Sequence, residues 1–284
     1  AQLCDQAQTL LDHLLNGNVP KTVSIPSLNY LTQSINKIND DDKLHTFCRY
    51  GVEKFKQIPN AFDQADANLK ECLSEIYICE DDPGGEDDPE TAEERAILYT
   101  KAAAVLTEID LSRGCFDEKY KAIINVRIAA LFADDAVGDV HKADRYIKEA
   151  RNYLRAITEV TILLRYRAIQ AKVHDLNKNF LQAASEYYRM TTDKTANVIE
   201  DEEIKNLLTK ALTCAVLGGV DNGDNTNAAQ INARKSRMLG TLHKDKRTHD
   251  LEFFNIMSNM YKSKLLSQED VESFSKTLLE HQKA

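Results

Sequence analysis

A chain of 284 residues, 43% of them hydrophobic, can bury a sizeable core as one long helical array or two modest domains. Its formal net charge of −9 argues against nucleic acid as a partner unless Lys and Arg cluster, because phosphate neutralisation carries most of that affinity. No apolar run reaches the roughly 18 residues of a membrane span, so no membrane partner is expected.

With 5 Pro and 10 Gly against abundant Ala, Leu, Lys and Glu, the composition favours helix over sheet. The opening residues Ala1 to Asp5 carry neither a basic nor an apolar region and do not read as a signal peptide. Leu3, Ala7, Leu10, Leu11 and Leu14 lie at helical spacing, and Asn16-Gly17-Asn18 stops that helix. Ser27 is placed to cap a second helix through Leu28, Leu31 and Ile35. A third begins at Asp40 to Asp42, where acidic groups suit the helix dipole. It runs through Leu44, Phe47, Cys48, Val52 and Phe55 to Pro59.

The middle of the chain repeats. Ala102, Ala143 and Ala183, each inside a similar helical stretch, are separated by 41 and 40 residues. A period near 40 in helical sequence predicts an all-α fold, a right-handed solenoid of antiparallel helix pairs of the tetratricopeptide or HEAT kind. The small Ala lets paired helices approach, and a Tyr or Leu four positions on is expected to fill the groove between repeats. The predicted pairs are 62–79 with 91–109, 120–132 with 140–157, and 160–176 with 180–190. Helices at 204–217, 234–242, 251–261 and 271–279 follow. The expected organisation is 1–58 N-terminal helices, 59–217 helical-repeat solenoid and 218–284 C-terminal helices. Two segments interrupt it. Residues 80–94 are acidic and broken by Pro and Gly, and 218–232 are rich in Asn and Gly; both read as mobile loops.

Chemical centres are sought and not found. The seven His form no H-E-x-x-H or H-x-H, and His243 and His249, six apart, are expected on different helix faces, so no metal is predicted. Asp221 to Asn225 superficially resembles a calcium loop, but Thr226 stands where Gly belongs and Asn232 where Glu belongs. Gly218-Gly219 follows a helix and reads as its stop, not as a phosphate loop. No nucleophile motif is present, no cofactor is expected, and the chain is read as no enzyme. The six cysteines contain no C-x-x-C, and Cys72 and Cys79 are read as buried packing. Reduced thiols point to cytoplasm and nucleus.

The candidate contact patch is basic. Arg234, Lys235, Arg237, Lys244, Lys246 and Arg247 fall within fourteen residues, with Asp245 the one acid among them. The plain reading is a solvated helix face, and the functional one is a docking surface for an acidic protein segment. RNA or DNA is disfavoured because no aromatics interleave with the charges.

Several stretches carry a family resemblance. Ser236 to Arg247 resembles the S-R-x-L-x-T-L-x-K-D-E-R signature of the COP9 signalosome subunit 4 family, with Lys246 in place of Glu. The ending His281-Gln282-Lys283-Ala284 is similar to that family's P-H-Q-K-A, with Glu280 in place of Pro. Ile128 to Asp135, Lys178 to Ala184 and Ile109 to Gly114 resemble further family stretches in the same order. The resemblance implies a PCI-domain protein whose winged helix would follow residue 284. It also implies a non-catalytic scaffold and sensor in a complex that removes the ubiquitin-like protein NEDD8 from cullins. The implied partners are the other signalosome subunits and a cullin–RING ligase. The alternatives are a PCI scaffold subunit of the proteasome lid and a tetratricopeptide-like adaptor. The adaptor would hold peptide tails through Asn125, Arg127 and Arg167.

Overall fold

The computed structural model describes residues 2–16, 18–35, 41–58, 61–79, 89–192, 198–219 and 228–283. Most of the acidic stretch 80–94, most of the Asn- and Gly-rich stretch 218–232, the calcium-like residues 221–225 and Pro59 lie outside the described residues. Among the described residues all regular structure is helical, thirteen α-helices and a few short 3-10 turns with no strand, so the all-α reading holds. The chain divides into two compact units, 1–139 and 140–284.

The first unit contains α1 (Gln2–Leu15), α2 (Lys21–Ser34), α3 (Asp41–Lys56), α4 (Asp63–Cys79), α5 (Pro89–Thr107) and α6 (Glu118–Phe132). Consecutive helices from α3 to α6 pack on one another, and α1 and α2 pack against α3 and α4. Their core joins Leu11, Leu28, Phe47, Cys48, Phe55, Leu69 and Cys72. Burying each of these aliphatic or aromatic side chains contributes about 1.5–3 kcal/mol. Gly51 lets α3 lie close against α4, since a Cβ there would run into Leu69 Cδ1.

The start of α2 departs from expectation. It begins at Lys21, six residues before Ser27, and carries Pro26 inside it. Pro26 removes one backbone donor. Ser24, Leu28 and Thr32 nevertheless form a buried stripe at four-residue spacing, and tertiary packing of that stripe outweighs the cap signal at Ser27.

The second unit contains α7 (Val140–Asn152), α8 (Val160–Leu176), α9 (Phe180–Met190), α10 (Asp201–Leu217), α11 (Ala228–Lys244), α12 (Phe254–Tyr261) and α13 (Gln268–Thr277). Helix α7 stops five residues earlier than predicted, and a 3-10 turn at Leu154–Ala156 completes the stretch. Helices α8 and α9 match their predicted limits. Helices α8, α9 and α10 pack in sequence, with α11 laid against α9 and α10 and α12 against α10 and α11. The three-residue connection from α8 to α9 makes that pair antiparallel.

The repeat positions are buried, but the predicted pairing of 120–132 with 140–157 does not hold, since within its own unit α7 packs against α8. Ala102, Ala143 and Ala183 are wholly buried, and so is Leu106, while Ile147 is 3% and Tyr187 5% exposed. A methyl group on one turn and a bulky side chain on the next suit the close packing of the α4–α5 and α8–α9 pairs.

Cations finish helices in both units. In the first, Lys70 is only 4% exposed; its ammonium lies 2.7 Å from Asp66 Oδ2 and donates at 3.2 Å to the Glu108 carbonyl just past α5. The last carbonyls of a helix lack intrahelical donors and carry partial negative charge, so a buried ammonium is stable there. Burial pushes the Asp66 carboxyl up, and Lys70 offsets this only in part.

Candidate protein-contact site

The six cations of the basic stretch have two different fates. Lys235 stands four residues before Leu239 and seven before Leu242, the buried stripe of α11, and so turns inward with them. Its Nζ donates at 2.9 Å to the Val216 carbonyl in the last turn of α10. Burial pushes the Lys235 amine below its ordinary value.

Arg247 is likewise internal in its bonding. Asp245 caps a 3-10 turn, Lys246–Thr248, by accepting the Arg247 backbone N–H at 3.0 Å. The same carboxylate takes the guanidinium as a chelate, with Nη2 at 2.7 Å and Nε at 3.1 Å. Nη1 donates at 2.9 Å to the Thr191 carbonyl at the end of α9. The hydrogen bond from Arg247 holds the Asp245 carboxyl below the usual carboxylate value. Thr248 closes the turn, its buried hydroxyl 2.7 Å from the Leu242 carbonyl.

Arg234, Arg237, Lys244 and Lys246 are exposed, and among the described residues no carboxylate pairs with them. Arg234 and Arg237 are three apart on α11, on one face. They line a cavity of about 660 Å³ between α9 and α11, opposite Lys178. Lys178 is held there by its left-handed φ of 57°, which ends α8 and starts the turn into α9. Leu181, Ile231 and Met238 supply apolar surface within the cavity, and Gln182, Ser185 and Gln230 supply polar groups. Lys178 escaped the sequence reading because it lies far from the basic stretch and only the α9–α11 packing joins them.

A second arrangement joins the chain's last residues to α8. Asp175, 5% exposed, accepts from Gln282 Nε2 at 3.1 and 3.0 Å, while Gln282 Oε1 accepts the Leu279 backbone N–H at 3.2 Å. His281 Nε2 lies 3.4 Å from Asp175 Oδ1. Burial first, and then the Asp175 charge, push the neighbouring Cys214 thiol up.

The other candidates resolve as follows. His243 and His249 do meet, with ring centroids 6.4 Å apart, because α11 ends at Lys244 and the chain folds back. His249 Nε2 is 3.2 Å from the His243 carbonyl oxygen and Phe254 packs on both rings. Among the described residues no three His, Cys, Asp or Glu converge. Cys72 is buried, but Cys79 is exposed because it is the last residue of α4. Among the adaptor's expected anchors, Asn125 donates to the Lys121 carbonyl one turn back. Arg127 is held by Glu71 at 3.0 Å and Glu75 at 2.9 Å. Arg167 is half-buried on α8.

Residues 236–247 thus do three things. Leu239 and Leu242 fill the core, Asp245 and Arg247 tie the turn to α9, and Arg237, Met238 and Thr241 face the cavity.

Known proteins match this chain along its length. A COP9 signalosome subunit 4 of Arabidopsis thaliana is 25% identical over 285 residues, covering 98% of this chain and 64% of that protein. One of Drosophila melanogaster is 25% identical over 285 residues, covering 100% of this chain and 62% of its own. One of Neurospora crassa reaches 30% over 197 residues, covering 68% of this chain and 41% of its own. The chain therefore spans a little under two thirds of the length of the first two of these relatives. No family model matches it.

Proposed function

The chain is a divergent relative of COP9 signalosome subunit 4, and on that premise we propose that it is a non-catalytic scaffold and sensor subunit of a signalosome. In this reading it contacts sister subunits and a cullin–RING ligase, in cytoplasm and nucleus, while another subunit removes NEDD8. The observation that carries it is similarity along almost the whole chain, which includes a segment, 236–247, that builds core, turn and surface at once. A scaffold needs rigid helices that present surface, and both units are built that way.

The proteasome-lid alternative has less support, because the relatives described above are signalosome subunits. The adaptor alternative is weakened by Arg127, whose guanidinium is occupied by Glu71 and Glu75 and is not offered to a peptide carboxylate. Affinity purification of the full-length protein from its own cells, with mass spectrometry of what accompanies it, tests the proposal. Sister signalosome subunits are expected in near-equal amounts. Recovery of lid subunits, or of the protein alone, would overturn it.

A further inference from the structure

We propose that the cavity between α9 and α11 is a docking slot for an extended acidic segment of a partner protein, its carboxylates met by Lys178, Arg234 and Arg237. This does not depend on which complex the protein joins.

The charge pattern is the first argument. The chain as a whole carries −9, yet the residues lining this cavity include three cations and no Asp or Glu. All three cations are exposed, and no described carboxylate pairs with them. Two nearby cations of the same stretch are engaged instead, Lys235 and Arg247, each on a helix end. Unpaired cations gathered on the two walls of one concavity attract an anionic ligand and raise its on-rate.

The shape and lining argue for peptide over nucleic acid. A volume of about 660 Å³ lies in the range of ligand clefts. Leu181, Ile231 and Met238 offer apolar contact to alternate side chains of an extended segment. Gln182 and Ser185 on one wall and Gln230 on the other can exchange hydrogen bonds with its main chain. The one aromatic residue lining the cavity, Phe180, is 7% exposed, so no ring is free to stack on a base. Arg adds planar two-point recognition of carboxylates, which suits Asp and Glu side chains.

The test is fluorescence anisotropy with the 284-residue protein and a fluorescein-labelled peptide of alternating Glu and Leu, with a Lys–Leu peptide as control. The wild type is expected to bind the acidic peptide and not the basic one, and to release it as salt rises. The double variant Arg234→Glu/Arg237→Glu, and separately Lys178→Glu, should weaken binding about tenfold or more, an effect typical of losing charge-assisted bonds. Lys244→Glu/Lys246→Glu, which reverses exposed cations that do not line the cavity, should change it less than about twofold, as expected for surface charges. Circular dichroism checks that each variant keeps its helices. Equal loss in the Lys244/Lys246 variant would mean a diffuse charge effect and overturn the slot. Unchanged binding in the Arg234/Arg237 variant would overturn it as well. Equal or tighter binding of a single-stranded oligonucleotide of matched charge would replace the peptide reading with a nucleic-acid one.

Discussion

Two side chains of the basic stretch carry bonds that their neighbours lack. Arg247 joins the turn after α11 to the end of α9, so Arg247→Ala should lower stability by about 1–2 kcal/mol, measured by urea unfolding. Arg247→Lys should recover little, because an ammonium cannot span Asp245 and Thr191 together. The Asp245 carboxyl is held below its ordinary value of 3.8, so its stabilising effect is full above that value and fades as pH falls through the lower folded one. The gap between wild type and Arg247→Ala should therefore narrow below pH 3.8. Lys235 behaves in the opposite sense. Its folded value lies below 10.5, so the folded state sheds its proton first and stability rises with pH up to that point. Thermal melts of Lys235→Met should lose that rise on the approach to pH 10.5. The inward turn of Lys235 went unread, although it shares the helical register of Leu239 and Leu242, because the basic stretch reads in sequence as one exposed patch. The role of Arg247 was not, because Thr191 lies 56 residues away and only packing brings it near.

At the scale of helices, Gly51 inverts a common rule. Gly to Ala inside a helix ordinarily stabilises by up to about 1 kcal/mol. Here the added methyl meets Leu69, so Gly51→Ala should destabilise by about 1–3 kcal/mol in chemical unfolding. Gln282 ties the turn at 280–282 to α8. Gln282→Ala removes both the bonds to Asp175 and the one to the Leu279 N–H. Hydrogen exchange should quicken over residues 279–283 while α8 and α9 stay protected. Helices α8 and α9 were legible to the residue because apolar periodicity and punctuation agreed. Helix α2 was not, because a buried stripe overrode local start signals. For α7, the apolar pattern runs past Asn152, but the backbone tightens into a 3-10 turn there.

For the molecule entire, the exposed cations are the proposed reach toward partners. Reversing Arg237, Lys244 and Lys246 together, and sparing Arg247, should leave the helical circular dichroism intact and reduce recovery of a cullin–RING ligase in pull-downs. Unchanged recovery would mark that face as merely solvated. The basic stretch was visible in the sequence, but its division into helix-end cations and solvent-facing cations was not, and Lys178 became its neighbour only through the α9–α11 packing. The α4–α5 and α8–α9 pairs were legible from the alanine repeat at 102 and 183, while Ala143 is equally buried but its helix pairs with α8 and not with 120–132. Their arrangement has a consequence for descent. Small at one turn and large at the next is a two-letter specification, and many outward-facing residues can satisfy it equally. Drift at about three quarters of the aligned positions relative to the Arabidopsis thaliana protein can therefore rewrite what the helices display without disturbing how they nest.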